Sequence, residues 1–207
     1  MRKVILLLNT SLDGFVGGPA GEMGWMVDDE EMDNDFTTDI RQRADTILVG
    51  RRTYESFEGA WPARAADPSG LTPELAVFSR WMVETPIVVF SHGRPALGMA
   101  NARLATRPMA EEIAHLRDQP GGDLMLTGGA STVAEALRLG LVDEVWLKVM
   151  PVAIGRGLPV FDRLETPLDL TLAWQKVYRS GVIGLRYERA ASPEDIVRIR
   201  WARSEKV

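Results

Sequence analysis

Short apolar runs and longer stretches of helical periodicity take turns along this 207-residue chain. Val4 to Leu8 is unbroken apolar sequence, as in a strand covered on both faces, and it ends on polar Asn9. Asp13-Gly14 then predicts a tight turn, Phe15-Val16 a return to extended chain, and Gly17 to Gly21 a glycine-rich loop. From Asp28 to Arg43 the period changes. Met32, Phe36 and Ile40 share one helical face, and the acidic start and basic end suit the helix dipole. Thr46–Val49 reads as a second strand, Arg51–Phe57 as a short helix, and Gly59 to Gly70 as a loop.

The alternation continues with a helix from Pro73 to about Met82, a strand at Ile87–Phe90, a short strand near Ala102–Ala105 and a helix from Pro108. Leu124–Leu126 predicts a strand, Thr127-Gly128-Gly129 a turn, and Ser131–Leu139 a helix. Thr132 and Glu135 have capping-box spacing there, and Gly140 is the stop. In the last third Val145, Leu147 and Val149 alternate with Glu144, Trp146 and Lys148, as in a strand with two distinct faces. Leu168 to Trp174 alternates again, and Ser180-Gly181 turns it back into Val182–Glu188. The pattern predicts one α/β domain over residues 1–190, with βα units first and an antiparallel hairpin last. Residues 191–207, with Arg198, Arg200 and Arg203, form a tail without a place in the sheet.

Composition narrows the possible functions. A chain 45% hydrophobic and 26% charged is globular, and its length suffices for one core. A net charge of −5 argues against a nucleic-acid or membrane-surface partner, which would need a broad basic face. With no cysteine, disulfides, thiolate metal sites and cysteine nucleophiles are excluded. Two histidines without a carboxylate partner motif predict no metal site. The first apolar run is too short for a signal-peptide core or a membrane span, so a cytoplasmic location is expected.

Two strand–glycine–helix junctions carry the candidate chemistry: Gly50-Arg51-Arg52-Thr53 and Thr127-Gly128-Gly129-Ala130-Ser131. A helix N-terminus offers unpaired N–H groups and partial positive charge, and glycine lets a phosphate approach the backbone. Two such junctions on neighbouring strands suit the pyrophosphate of a dinucleotide, and Arg51 and Arg52 suit a further phosphate. Each alone also reads as an ordinary βα turn. Ser91 and Arg94 follow a strand end, where α/β sheets place ligand loops, and read equally as a surface turn. Asp13 is either half of a tight turn or a carboxylate beside the substrate. Trp25 and Trp61, placed in loops, either pack or stack on a flat heterocycle.

These segments resemble the dihydrofolate reductase superfamily, and most closely the branch of the reductase domain of the riboflavin-biosynthesis deaminase-reductase. The matching residues run through Ser11-Leu12-Asp13-Gly14, Gly50 to Ser56, Thr127 to Ala130, Gly140-Leu141-Val142-Asp143-Glu144 and Pro151 to Phe161. In order and spacing they span residues 3 to 189, with no zinc-deaminase domain expected ahead of them. The resemblance implies a three-layer α/β/α sandwich with a mixed, mostly parallel sheet and a C-terminal antiparallel hairpin. It implies NADPH bound across the two glycine junctions, with the Gly155–Gly157 loop near the nicotinamide, and a homodimer. It also implies hydride transfer to a small pyrimidine- or pterin-like heterocycle, similar to 5-amino-6-(5-phosphoribosylamino)uracil reductase. The alternatives are a dihydrofolate reductase proper and a non-catalytic NADPH-binding module. Asp13 is the candidate for orienting substrate or supplying a proton. Phe15 stands where that branch carries Lys or Arg, so a phosphorylated substrate is expected to fit poorly.

Overall fold

The structure is a computed structural model, described here over residues 1–93 and 95–190. Residues 191–207, the expected tail, and Arg94 lie outside the described residues. Eight strands form one sheet in the order β4-β3-β2-β5-β1-β6-β8-β7. The strands are β1 (Val4–Thr10), β2 (Ala44–Gly50), β3 (Ile87–Phe90), β4 (Ala102–Leu104), β5 (Asp123–Leu126), β6 (Glu144–Val149), β7 (Leu170–Val177) and β8 (Ile183–Arg189). β4 through β6 pair in parallel, and β8 runs antiparallel to both β6 and β7. The predicted terminal hairpin is therefore β7–β8, turning at Gly181.

Helices α1 (Glu30–Arg43), α2 (Arg51–Ala66) and α3 (Pro73–Glu84) cover one face, and α4 (Met109–Arg117) and α5 (Ala130–Arg138) the other. The strand periodicity decides the two cores. Ile5, Ile47, Val49, Ile87, Val89, Met125 and Trp146 meet Met32, Phe36, Ile40, Tyr54, Phe78 and Met82 of the first layer. Val4, Leu6, Leu8, Leu48, Val88, Leu124, Leu126 and Val145 meet Ile113, Leu116, Val133, Ala136 and Leu137 of the second. This is the expected three-layer sandwich. Among the described residues no helix is long and apolar enough to cross a membrane.

Two local expectations fail. The expected helix end at Phe57 is overrun: α2 continues through Gly59 and Pro62 to Ala66, so Trp61 lies on a helix and not in a loop. Pro62 forfeits one backbone hydrogen bond. The edge-to-face chain Phe57–Trp61–Phe78, with centroids 6.2 and 5.3 Å apart, ties this part of α2 to α3 and outweighs the propensity loss. The capping box at Thr132 and Glu135 does not form. The N-cap of α5 is Gly129, without a side-chain cap, while Glu135 pairs with Arg138 at 2.9 Å. Gly140, at φ +66, does stop that helix.

The edge of the sheet where β1, β2, β5 and β6 begin carries a dense ionic network. Arg2 bonds Asp45, Thr46 and the carbonyls of Leu116 and Gly122. Arg43 bridges Asp123 and Glu144, Lys3 reaches Glu144 at 2.8 Å, and Arg117 pairs with Asp143. Burial alone would raise the Glu144 carboxyl, but bonds from Arg43, Lys3 and Trp146 hold it at about 2.

Candidate active site

The opposite, carboxyl-end edge is built differently. β2 and β5 are neighbours with Leu48 opposite Leu126, so the glycine junctions that follow them stand side by side. Gly50 caps α2 and Gly129 caps α5, both in extended backbone and both without a side-chain acceptor for the first-turn N–H groups. The junctions interlock. Gly129 N donates to Thr53 Oγ1 at 2.9 Å, and a Cβ on Gly50 would collide with the Thr132 hydroxyl. Gly128 sits at φ +122 against Thr53, so it needs glycine for conformation and for space. Gly129, at φ −68, would have its nearest neighbour at 3.8 Å, so protein packing leaves room there for a side chain.

The remaining predicted cofactor residues fall around these junctions. Arg51 bonds Glu55 at 2.7 Å on the exposed face of α2. Arg52 beside it is exposed and makes no side-chain bond among the described residues. Ala130 and Ser131 form the first turn of α5, with Ser131 exposed. Ser91 follows β3 half-buried, its hydroxyl accepting from Gly93 N at 3.3 Å.

Next to the junctions a cavity of about 570 Å³ opens between the sheet and α1, α2 and α3. Its walls are mostly apolar, with Met26, Val27, Met32, Phe36, Phe57, Trp61, Leu75, Phe78, Met82, Met125 and Met150. Thr127 links it to the glycine turn, since this residue lines the cavity and its hydroxyl donates to Leu7 O at 2.8 Å. The polar lining comes chiefly from Asn9, Asp28, Asp29, Glu30, Asp33, Thr37, Arg64 and Lys148. Lys148 Nζ pairs with Asp33 Oδ1 at 3.0 Å, and Arg64 lies over Trp61 at 5.1 Å. Asp29 caps α1, accepting from Met32 N at 2.9 Å.

Of the four residues expected around a substrate, Trp61 lines the cavity, while Asp13, Phe15 and Trp25 do not. Trp25 packs on the core nearby with its Nε1 donating to Glu22 O. Phe15 pairs with Pro159 in an isolated bridge. Asp13 ties the β1 loop to the segment after β6. Its carboxylate accepts from Ser11 Oγ at 2.6 Å, Gly155 N at 2.7 Å and Ile154 N at 3.1 Å. The bond from Ser11, then those from Gly155 and Ile154, keep this carboxyl below its ordinary value. Its three donors make it an anchor for the segment that begins at Ile154.

Sequence reading did not single out Asn9, Thr37 or Lys148. Asn9 was detectable: it extends the face of Ile5 and Leu7 by the strand period, which puts a polar side chain at an apolar address.

The strand order, terminal hairpin and paired junctions define a dihydrofolate-reductase-like α/β sandwich. A family model of the RibD C-terminal domain matches residues 2–183, and the chain belongs to that family. It is 32% identical over 187 residues to the protein YyaP of Bacillus subtilis strain 168, covering 90% of this chain and 94% of that one. A Shewanella sp. PV-4 structure assigned to riboflavin biosynthesis superposes with a TM-score of 0.69 at 21% identity, covering 91% and 99% of the two chains. The diaminohydroxyphosphoribosylaminopyrimidine deaminase/5-amino-6-(5-phosphoribosylamino)uracil reductase of Thermotoga maritima gives 0.64 at 16% identity. That match covers 91% of this chain and 57% of the longer one.

Proposed function

We propose that this protein is an NADPH-dependent reductase acting on a small heterocycle held in the cavity between the sheet and α1–α3. The observation that carries this is the pair of uncapped helix N-termini of α2 and α5, interlocked on adjacent strands and opening beside that cavity. The donor set fits a dinucleotide. The junctions offer backbone N–H groups and open space at Gly129 for a pyrophosphate, and Arg52, unpaired among the described residues, offers a cation for the 2′-phosphate. When bound, NADPH supplies the hydride.

The chain's own residues do the positioning. Asp13 holds the 154–157 loop, the apolar walls exclude water, and Trp61 offers a flat surface for a ring. The deep cavity cation, Lys148, is half of an ion pair and lies 5.8 Å from the Phe36 ring, within the lining. Membership of the RibD C-terminal domain family and structural likeness to the Thermotoga deaminase/reductase support a reduction as the reaction.

Calorimetric titration with NADPH and NADH, followed by NADPH oxidation against a panel of aminopyrimidines and dihydropterins, tests this reading. Micromolar or tighter NADPH binding with turnover of a pyrimidine is the expected result. Turnover of dihydrofolate instead would make it a dihydrofolate reductase, and binding without turnover a cofactor-binding module. Failure to bind either nucleotide would end the proposal.

A further inference from the structure

Two polar atoms of the cavity have no use within the protein. Among the described residues the Asn9 carboxamide oxygen and the Thr37 hydroxyl are both buried and without a hydrogen-bond partner, and both residues line the cavity. Thr37 is 9% exposed, on the face of α1 that carries Met32, Phe36 and Ile40 to the core. An apolar side chain at either position would be the ordinary choice for folding. Retaining an unpaired acceptor and an unpaired hydroxyl there is costly unless a ligand completes them.

The charge around them is equally selective. Asp28, Asp29, Glu30 and Asp33 line the same cavity against two cations, Arg64 and Lys148. Lys148 is already neutralised by Asp33, and Arg64 is exposed and laid over Trp61. A phosphate entering here meets a net negative lining and no free buried cation.

We propose that the cavity takes an unphosphorylated planar heterocycle, neutral or cationic, whose amide-like edge is read by Asn9 and Thr37. A carboxamide accepts from a ring N–H and donates to an adjacent carbonyl or ring nitrogen, and a threonine hydroxyl does either. A flat ring carrying those groups also suits the aromatic and methionine walls. This assignment rests on the cavity being the substrate site of the proposed reductase. It goes further in naming the edge that is recognised and in excluding the phosphoryl group.

The test uses the full chain and three probes: 6-aminouracil, 5-amino-6-ribosylaminouracil and the same compound bearing its 5-phosphate. Each is titrated calorimetrically, with and without NADPH, into the wild type and into the near-isosteric variants Asn9→Leu and Thr37→Val. The wild type is expected to bind the unphosphorylated compounds at least about tenfold more tightly than the phosphate. Each variant is expected to lose roughly tenfold in heterocycle affinity while its Tm stays level or rises, because an unpaired buried polar atom has been removed. Equal or tighter binding of the phosphorylated compound overturns the charge argument. Variants that melt lower and bind the heterocycle unchanged overturn the recognition argument. If NADPH fails to bind while the heterocycle binds as described, the reductase reading fails and the cavity stands as a heterocycle-binding site read by Asn9 and Thr37.

Discussion

The two edges of the sheet use the same kinds of side chain to opposite ends. Where the parallel strands begin, Asp45, Asp123, Asp143 and Glu144 each meet an arginine or lysine, and Arg2 places three of its nitrogens on oxygen acceptors. Where the same strands end, among the described residues two helix N-termini lack side-chain caps, Arg52 has no partner, and Asn9 and Thr37 hold orphaned polar atoms. A largely paired polar edge contributes mainly to the fold, even with Arg117 Nε buried and unpartnered among the described residues. An unsaturated one is a cost the fold bears until something binds. The unpaired groups at this second edge support the proposed ligand site, and the comparison can be broken from either side.

Gly129→Val should have the largest effect. Protein packing leaves space at this position, so the fold should survive, yet a branched side chain would stand between the α5 N-terminus and a phosphate. Losing one or two charge-assisted bonds would weaken NADPH binding by roughly one to four orders of magnitude. Unchanged affinity in a calorimetric titration would show that the junction is an ordinary turn.

At the other edge, Glu144→Gln should cost stability and leave binding alone. With a folded value of about 2 against 4.5 for the free side chain, the wild-type carboxylate stabilises fully above pH 4.5. That contribution disappears as pH falls from 4.5 toward 2, a change of up to about 3 kcal/mol. Urea unfolding of wild type and variant should therefore differ at pH 7 and converge near pH 2. Equal curves at pH 7 would contradict the paired-edge account.

Arg52→Gln should lower NADPH affinity about tenfold and leave NADH affinity unchanged, narrowing the preference between them. Arg51→Gln gives the smallest effect, because its exposed pair with Glu55 is worth no more than about 0.5 kcal/mol. If Arg51 and not Arg52 controls the preference, the 2′-phosphate contact has been assigned to the wrong residue.

Much of the fold was legible because strand and helix periods are local properties. The runs at Val4–Leu8, Ile87–Phe90 and Leu124–Leu126, the face Met32–Phe36–Ile40, and the glycines at 50, 128 and 140 say what they do in place. The extension of α2 was not legible, since Gly59 and Pro62 argue locally for a loop and only contact of Trp61 with Phe78 on α3 reverses that. At the site, the glycine junctions stood out because backbone chemistry leaves a sequence trace. Lys148 did not, because alternation marks it as a solvent-facing strand residue until α1 is known to bring Asp33 against it. Asp13 stands out locally through its Asp-Gly turn, but its bonds to the 154–157 loop join residues 141 and 142 positions apart and leave no local trace.

Trp61, half-buried in the cavity wall with Phe78 edge-on and Arg64 above it, also has an optical consequence. Indole emission overlaps the near-ultraviolet absorption of a reduced nicotinamide, so a dinucleotide bound beside the cavity would draw excitation energy from this ring. Binding should then dim the protein's own fluorescence and light that of the nucleotide. Since the chain has six tryptophans, Trp61→Phe would show how much of the signal originates in the pocket. Oxidation of the nucleotide would extinguish the acceptor, so one unlabelled sample would report both occupancy and turnover in real time.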